Sequence, residues 1–291
     1  MTSNPFQVPV DKSISLQKDF DPSFLPDDLD KPQSIVQLKA GIERLSELQN
    51  KLYAHNSYGI LIIFQAMDAA GKDSTIKHVM SGVNPQGCQV YNFKTPSDEE
   101  LDHDYLWRSS RCLPERGRIG IFNRSYYEEV LIARVHPYIL ANQKLPHQPK
   151  GDRIWQQRFQ DINHYEQYLT NNGIVILKFF LNVSKSEQKK RFLKRLDTPE
   201  KNWKFSMSDV EERQHWDDYQ AAYEDIFNHT STDAAPWSII PADHKWYTRL
   251  TVAEIIIKRL EELDLKYPSV NPEHETILKE ARDRLNAESD R

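Results

Sequence analysis

A lysine and two hydroxyl residues follow a glycine at the end of a buried apolar run. Residues 64–75 read Phe-Gln-Ala-Met-Asp-Ala-Ala-Gly-Lys-Asp-Ser-Thr and directly follow the apolar residues 60–63. A strand, small residues, a Gly-Lys pair and a helix start form the layout of a phosphate-binding loop, in which backbone N–H groups and the helix dipole attract anions. Lys72 would reach the bridging or terminal phosphates as a point charge. The other loop residues predicted to bind phosphate are Ala69, Ala70, Gly71, Asp73 and Ser74.

The loop departs from the pattern G-x-x-x-x-G-K-[ST] at two places. Ala66 occupies the first glycine position, and Asp73 stands where a hydroxyl residue belongs, with Ser74 one place later. A Gly-Lys pair after a strand can also be a helix N-cap with a solvated lysine, so the motif alone leaves both interpretations open.

Asp68 favours phosphate chemistry, because a carboxylate inside a phosphate loop repels the ligand unless it has a task of its own. Two like charges about 4 Å apart cost several kcal/mol in a partly desolvated site. The carboxylate is useful if Mg²⁺ lies between it and the phosphate, or if it orients the attacking oxygen. The alternative is a turn or helix-capping residue.

The composition indicates the cellular compartment and excludes some classes of binding partner. The 291 residues carry a net charge of −5, which argues against a general nucleic-acid binder. The two cysteines, Cys88 and Cys112, form no disulfide framework, which fits a reducing compartment. No signal-peptide pattern begins the sequence, and no apolar run reaches the roughly 18 residues of a membrane span. We expect a soluble cytoplasmic protein that binds neither membrane nor nucleic acid.

Hydrophobic periodicity predicts strands that alternate with helices after an N-terminal arm. Residues 1–33 are rich in Pro and Asp, which is typical of an extended surface arm. The predicted strands are 59–65, 88–93, 118–123, 174–181 and 237–241. The predicted helices are 34–55, 72–82, 97–112, one that begins near 126, 152–171, 184–196, 206–228, 246–264 and a loose surface helix at 272–288.

This alternation predicts an α/β fold, with a parallel sheet and helices on both of its faces. We expect residues 1–291 to form a single domain. Ligands bind beyond the carboxyl ends of the strands in such sheets. The segments expected to share that rim are 66–75, 94–97, 123–128 and 182–186.

A second polar cluster follows the predicted strand 118–123. Asn123 lies where a phosphoryl-transfer fold usually places a metal-holding acid, and it could contact Mg²⁺ only through a neutral oxygen. Arg124 is suited to bind phosphate through two parallel hydrogen bonds, although it could instead form a helix-surface ion pair with Glu128. Of Glu128 and Glu129, one carboxylate should face the site and the other solvent.

A basic segment, residues 184–206, directly follows another predicted strand. Between residues 185 and 204 there are eight lysines and arginines against three acids. A basic helix is most often solvated surface. At the rim of a phosphate site it is better explained as a lid that closes over an extended polyanion. The expected anion contacts in this lid are Lys185, Lys189, Arg191, Arg195 and Lys204.

Together these stretches resemble the polyphosphate kinase 2 family. The matching motifs are QAMDAAGK at 65–72, FKTPS at 93–97, YLWR at 105–108, GRIGIFNRSYYEEVL at 117–131, RVHP at 134–137 and WKF at 203–205. The resemblance covers about residues 30–265. It implies a thymidylate-kinase-like P-loop fold with a helical lid, Mg²⁺-dependent transfer of phosphoryl groups between inorganic polyphosphate and nucleotides, and assembly as a dimer or a pair of dimers.

The resemblance also implies roles for individual residues. Asp68, Lys72 and Arg124 are the expected catalytic residues, and Asp68 and Asn123 the expected metal ligands, although many family members have Asp at the position of Asn123. The residues expected to bind the nucleotide are Lys94, Thr95, Tyr126 and Glu128. The form of the sequence at 123–131 resembles the subgroup that accepts both AMP and ADP.

We therefore expect a polyphosphate:nucleotide phosphotransferase that converts AMP to ADP and ADP to ATP reversibly. The polyphosphate end would lie in the loop 68–74 and the chain would run along 185–204. One alternative is an ATP-dependent nucleoside monophosphate kinase on the same fold. Another is a polyphosphate-binding regulator without catalysis, which would gain nothing from the acids Asp68 and Glu128.

Overall fold

A five-stranded parallel sheet forms the centre of the chain. The computed structural model describes residues 4–146 and 153–288. The strands are β1 (Gly59–Ala66), β2 (Cys88–Asn92), β3 (Ile119–Asn123), β4 (Ile174–Asn182) and β5 (Trp237–Pro241). Their order is β2-β3-β1-β4-β5, and every neighbouring pair is parallel. The five strands lie where the sequence predicts them.

Helices connect the strands and cover the sheet. In chain order they are α1 (Leu16–Asp19), α2 (Lys31–His55), α3 (Lys72–Val79), α4 (Asp98–Leu101), α5 (Trp107–Ser110), α6 (Ile132–Val135), α7 (Pro137–Ala141), α8 (Arg153–Asn171), α9 (Lys185–Leu196), α10 (Met207–Glu212), α11 (Trp216–Thr230), α12 (Lys245–Glu261) and α13 (Pro272–Ala287). Short 3₁₀ turns lie at Pro85–Gly87, Tyr126–Val130, Pro199–Lys204 and Arg213–His215.

The central strand β1 is covered on both faces. All eight of its residues are buried, and successive side chains of a strand point to opposite faces. Its run of three isoleucines and a leucine favours a buried parallel strand. Helix α12 packs on α2, α3, β4 and β5, whereas α8 packs on β4 and α11. The expected α/β class, with helices on both faces of a parallel sheet, is confirmed.

The N-terminal arm is extended, but it is anchored more firmly than the sequence suggests. The N–H of Val8 donates to the Trp237 carbonyl at 2.9 Å, and the N–H of Ile239 donates to the Phe6 carbonyl at 2.8 Å. Phe6 and Val8 are buried in the core. The arm therefore covers the edge of β5, which would otherwise present unpaired backbone groups. Residues 1–3 lie outside the described part of the chain.

Several predicted helices are interrupted. The segment 97–112 forms two short helices, because the Asp104 side chain accepts from the Leu106 N–H and makes a local turn between them. The segment 206–228 is broken by the 3₁₀ turn 213–215, and the helix expected from Tyr126 begins as a 3₁₀ turn. The tail helix α13 is exposed along its whole length, as expected. Among the described residues, no helix has both the length and the apolar character that crossing a membrane requires.

Candidate active site

The loop between β1 and α3 has the backbone of an anion-binding turn. Ala69 and Gly71 have φ values of 58° and 111°, in the left-handed region. Alternating right- and left-handed residues turn successive N–H groups toward one concavity. A left-handed alanine costs about 1–2 kcal/mol and persists only where its surroundings hold it. We call residues 66–72 the phosphate loop.

Arg191 of α9 holds the phosphate loop in this conformation. Its Nη1 donates to the carbonyl groups of Ala70 at 2.6 Å and Ala69 at 3.2 Å, and its Nη2 donates to the carbonyls of residues 242–243. Its Nε donates to Glu187 at 2.9 Å, and the residue is only 8% exposed. The prediction that Arg191 contacts polyphosphate is therefore wrong, because its guanidinium donors are bound to the protein.

Lys72 reaches back across the phosphate loop. Its Nζ donates to the Ala66 carbonyl at 3.0 Å, so the last residue of the phosphate loop contacts the first one. Burial lowers the pKa of Lys72, and the neighbouring Arg124 lowers it further, while Asp68 opposes the shift. A bound phosphate would offset the repulsion between the two cations, which is how such a site selects an anion.

Asp68 and Arg124 form an ion pair at the rim. The Arg124 Nη2 lies 3.3 Å from the Asp68 Oδ1, and both side chains are about one-third exposed, at 38% and 35%. Adjacent strands β1 and β3 bring them together, since Arg124 follows β3 and its N–H donates to the carbonyl of Phe64 in β1. Arg124 has φ of 65°, a strained conformation that is common at functional sites.

Glu128 and Glu129 take opposite directions, but neither faces open solvent. Glu128 lines a cavity with Asp68 and Arg124; burial raises its pKa, and Arg124 opposes that shift. Glu129 is 6% exposed and lies 3.6 Å from Arg158 and 3.9 Å from Arg108. Glu128 is the carboxylate that lines the cavity, and its role there stays a prediction. The expectation that the other faces solvent is wrong, because two arginines bury it.

A cavity of about 210 Å³ lies between the phosphate loop and α10. Its charged lining residues are Asp68, Glu128, Asp209, Glu212, Arg124 and Arg213. Three of them, Asp209, Glu212 and Arg213, were not predicted from the sequence. The signal of the two acids was an acidic run at 209–212, which helical periodicity alone does not distinguish from a solvated face.

Arg195 pairs with Asp209, a residue that lines the cavity. Its Nη1 lies 3.1 Å from Asp209 Oδ2, and both side chains are largely buried. Burial and the nearby Asp68 raise the pKa of Asp209, while Arg195 opposes the shift. The predicted anion contact at Arg195 is thus already paired with a carboxylate in this structure.

The outer face of α9 carries the remaining lid cations. Lys185 and Lys189 are exposed. Lys189 lines a shallow groove of about 430 Å³ together with Lys190 and Lys194. The Lys204 backbone belongs to the 3₁₀ turn after α9, whereas its side chain lies outside the described part.

Asn123 and Ser74 are both held by neighbours of the loop. The Asn123 Nδ2 donates to Asp73 Oδ1 at 2.8 Å, and Asn123 is 7% exposed. Ser74 Oγ accepts from Arg249 Nη2 at 2.8 Å. Asp73, which departs from the loop consensus, and Ser74, which follows it, therefore each have a polar partner.

The four residues expected to bind a nucleotide are not all accessible. Lys94 and Thr95 are exposed beyond the carboxyl end of β2, and Glu128 lines the cavity. Tyr126 is fully buried, and its hydroxyl donates to Glu166 Oε1 at 2.8 Å. The prediction that Tyr126 contacts the nucleotide is wrong, because the 3₁₀ turn directs its side chain into the core.

A buried polar network supports the segment that carries Arg124 and Glu128. Tyr127 also donates to Glu166 Oε1 at 2.8 Å, and Lys178 Nζ donates to Glu166 Oε2 at 2.6 Å. Lys178 and Glu166 are both fully buried. The signal in the sequence was a single lysine inside the apolar strand 174–181.

The side chains at the site fit a metal ion whose ligands come mainly from the substrate. Among the described residues, no three His, Cys, Asp or Glu side chains are grouped so that they could hold a metal ion. Mg²⁺ is usually bound through one or two carboxylates together with phosphate oxygens and water. Asp68, partly exposed at the cavity and beside the phosphate loop, meets that requirement.

A phosphate loop at the carboxyl end of a central parallel strand, with a lysine, an arginine and the basic helix α9 beside it, defines a P-loop kinase-like protein. The chain belongs to the polyphosphate kinase 2 (PPK2) family, whose model matches residues 28–268. It is similar to a crystal structure of polyphosphate kinase 2 from Arthrobacter aurescens TC1, with 40% identity, 94% of each chain covered and a TM-score of 0.84.

Two curated relatives cover most of the chain. The "ADP-polyphosphate phosphotransferase" of Rhodopseudomonas palustris is 55% identical over 249 residues, which are 85% of this chain and 86% of the relative. The "AMP/ADP-polyphosphate phosphotransferase" of Meiothermus ruber is 44% identical over 260 residues, which are 88% of this chain and 93% of the relative. The expected family and the P-loop fold are therefore confirmed.

Proposed function

We propose that this protein transfers phosphoryl groups between inorganic polyphosphate and the nucleotides AMP and ADP, in either direction. The observation that carries the proposal is the meeting of Lys72, Arg124, Asp68 and Glu128 around the mouth of the phosphate loop. Phosphoryl transfer brings two phosphate anions and a divalent cation together. The two cations would attract the phosphates, and the carboxylates would attract the divalent cation. The names of the relatives support polyphosphate and AMP or ADP as the reactants.

The two cations would act on the group in transfer. Phosphoryl transfer depends on positioning and on neutralising charge spread over the phosphoryl oxygens. Lys72 and Arg124 now donate to Ala66 and to Asp68, and phosphate oxygens could take over these bonds. Arg124 keeps its charge at any working pH, because Glu128 and Asp68 outweigh burial and raise its pKa.

The carboxylates would hold the metal and the acceptor end of the reaction. Members of a kinase family generally need a divalent metal, and we propose Mg²⁺ held by Asp68. Bound there, Mg²⁺ would neutralise charge between donor and acceptor phosphates. Asn123 is a weaker candidate ligand, since its amide nitrogen already donates to Asp73. Glu128 faces the same cavity and would adjust the position of the shorter acceptor, AMP.

One assay separates this function from its two alternatives. Purified protein, long-chain polyphosphate, Mg²⁺ and either AMP or ADP are mixed without ATP, and the next higher nucleotide is measured by chromatography. We expect ADP from AMP and ATP from ADP. Formation of ADP from AMP only when ATP is supplied would identify a nucleoside monophosphate kinase. Polyphosphate binding without turnover would identify a regulator.

Two matched variants connect this activity to the phosphate loop. Lys72→Ala and Arg124→Ala should each lower turnover by roughly 10²-fold or more, the usual loss when a preorganised charge is removed. Lys279→Ala, on the exposed helix α13, should behave like the wild type. Wild-type turnover in either loop variant would remove the assignment of the site.

We also propose that the chain assembles as a dimer or a pair of dimers, on the basis of its family resemblance. Light scattering of the purified protein at several concentrations measures the mass directly. A single 34.2 kDa species at all concentrations would contradict this proposal.

A further inference from the structure

The motif YLWR at 105–108 ends in a buried arginine that the proposed reaction does not use. Arg108 belongs to the short helix α5 and is only 7% exposed. A guanidinium keeps its charge in proteins, and a buried charge is costly unless its neighbours compensate it. The neighbours of Arg108 therefore show which part of the structure its charge holds.

Arg108 contacts the segment that follows β2, residues 93–97, which we call the β2 loop. Its Nη1 donates to the Lys94 carbonyl at 2.8 Å, and its guanidinium carbon lies 5.5 Å from the centre of the Phe93 ring. Among the described residues, the Lys94 carbonyl is the one acceptor with which Arg108 makes a hydrogen bond. A hydrogen bond from a charged donor is stronger than one between neutral groups, so this contact fixes the backbone of the loop.

The end of the β2 loop depends on the same arginine. Glu100 Oε2 accepts from the Ser97 N–H at 2.8 Å, and the Ser97 hydroxyl accepts from the Glu100 N–H in return, which forms a capping box. Arg108 Nη1 lies 3.9 Å from that Oε2, so it holds the carboxylate by charge rather than by a hydrogen bond. The start of the loop is fixed separately, since the Phe93 N–H donates to the Asn123 carbonyl at 3.2 Å.

A further contact joins Arg108 to the segment that carries Arg124. Arg108 Nη2 lies 3.9 Å from Glu129 Oε1. Glu129 has other partners, because Gln143 donates to its Oε2 and Arg158 donates to its carbonyl, both at 2.6 Å. Removal of Arg108 would therefore leave Glu129 held by its neighbours, whereas the β2 loop would lose its charged donor.

We propose that Arg108 is a positioning residue for the nucleotide acceptor, and that it acts by fixing the β2 loop relative to the segment that carries Arg124. This proposal rests on the proposed function and on the predicted nucleotide contacts of the loop, Lys94 and Thr95. Both residues are exposed beyond the carboxyl end of β2, so their placement depends on how firmly the backbone below them is held. Arg108 itself is buried and would not touch the nucleotide.

The two substrates separate positioning from general stability. Initial rates of ATP formation are measured for the wild type and Arg108→Met, with ADP varied at saturating long-chain polyphosphate and with polyphosphate varied at saturating ADP. We expect KM for ADP to rise about tenfold, as loss of one hydrogen bond from a charged donor would cause. KM for polyphosphate should change by less than about twofold, because the residues that contact Arg108 in the described part of the chain do not belong to the phosphate loop.

Two further variants protect the result against misfolding. Arg111→Met removes an arginine directly after α5 whose side chain is largely exposed, and it should behave like the wild type. Arg108→Lys keeps the buried charge opposite Glu100 and Glu129, so it should fold even if Arg108→Met does not. An ammonium lacks the planar fork of a guanidinium, so KM for ADP should still rise in this variant, by about threefold.

A combined variant tests the route through the β2 loop. Lys94→Ala/Thr95→Ala removes the predicted contacts and should itself raise KM for ADP. Adding Arg108→Met should then change KM for ADP by less than about twofold, because effects of residues that act through one another do not add. A further rise as large as that in Arg108→Met alone would overturn the proposal, since Arg108 would then act by another route.

Other outcomes would also overturn the positioning role. These are a wild-type KM for ADP in every Arg108 variant that folds, an equal rise in KM for both substrates, and an unchanged KM for ADP in Lys94→Ala/Thr95→Ala. Failure of the proposed function is a different result, since the wild type would then form no ATP from ADP and polyphosphate.

Discussion

The stability of the fold depends on the buried ion pair of Glu166 and Lys178, and the variant Glu166→Gln tests this dependence. The carboxylate accepts from the hydroxyls of Tyr126 and Tyr127 at 2.8 Å and from the Lys178 ammonium at 2.6 Å. Both charged side chains are completely buried. Glutamine has a similar volume, and its one oxygen can still accept from Tyr126 and Tyr127. It carries no negative charge, so the Lys178 ammonium faces either an amide donor or a neutral oxygen.

The expected loss follows from the uncompensated charge. Breaking a buried ion pair by removing one partner typically costs about 3–5 kcal/mol. Lys178 keeps two neutral acceptors, the Thr230 carbonyl at 2.7 Å and the Tyr127 hydroxyl at 2.8 Å, which favours the lower end of that range. We therefore expect Glu166→Gln to lower the free energy of unfolding by about 3 kcal/mol at neutral pH.

The loss should depend on pH with a definite sign. Burial lowers the pKa of Lys178, and Glu166 opposes this shift, so the variant lowers it further. Between the lowered folded pKa and the ordinary lysine value of about 10.4, the unfolded chain binds more protons than the folded one. Stability then rises with pH over that window. The deficit of Glu166→Gln relative to the wild type should shrink as the pH rises from 7 toward 10.

Urea unfolding followed by tryptophan fluorescence at pH 7 and at pH 9.5 measures both effects. Glu166→Gln combined with Lys178→Met removes both charges and should regain much of the loss, since a buried pair replaced by apolar groups is often close to neutral. A deficit below about 1 kcal/mol in the single variant, or a deficit that grows with pH, would refute the reasoning.

Three further changes test the site itself. Asp68→Asn should abolish turnover in Mg²⁺ while polyphosphate binding stays intact or tightens, because a metal ligand and a repulsive charge leave together; a binding assay beside the activity assay checks both. Arg191→Ala should lower the free energy of unfolding by about 3 kcal/mol in urea titrations, since the carbonyls of Ala69 and Ala70 lose their donor, whereas Lys189→Ala should leave it unchanged. Glu128→Gln should lower the reaction with AMP more than that with ADP, because Glu128 would help to place the shorter acceptor, while a helix-capping acid contributes only about 0.3–1 kcal/mol. Parallel rates with both acceptors measure this difference, and equal losses would contradict a selective role.

The fold and the phosphate loop could be predicted because their signals are local. Apolar runs such as 60–63 and 119–122 mark buried strands, and the run from Ala69 to Lys72 marks the turn into a helix. The rule that ligands bind beyond the carboxyl ends of parallel strands then brought Asp68 and Arg124 to one rim. Their separation of 3.3 Å agrees with that placement.

The direction of individual side chains could not be predicted in the same way. Arg191 looks like any cation of a basic helix, and its carbonyl partners are over 50 residues away. Tyr126 lies two residues after Arg124 in sequence, but a 3₁₀ turn does not keep the face periodicity of an α-helix, so its ring enters the core. The burial of Glu129 could not be predicted either, because its partners Arg108 and Arg158 come from two separate helices.

The distribution of charge favours transfer at the phosphate loop rather than on the basic segment 184–206. The acids of the cavity suit a metal and a short nucleotide phosphate but repel a long polyanion. The outer groove of α9 would suit the polyanion better, since three lysines line it beside a single carboxylate, that of Asp197. Asp68 and Arg124, 3.3 Å apart, line the cavity beside the phosphate loop, and in the proposed reaction a donor phosphate and the acceptor would meet there. An overall charge of −5 is compatible with a polyanion substrate, since cations are concentrated locally: eight lysines and arginines stand against three acids between residues 185 and 204.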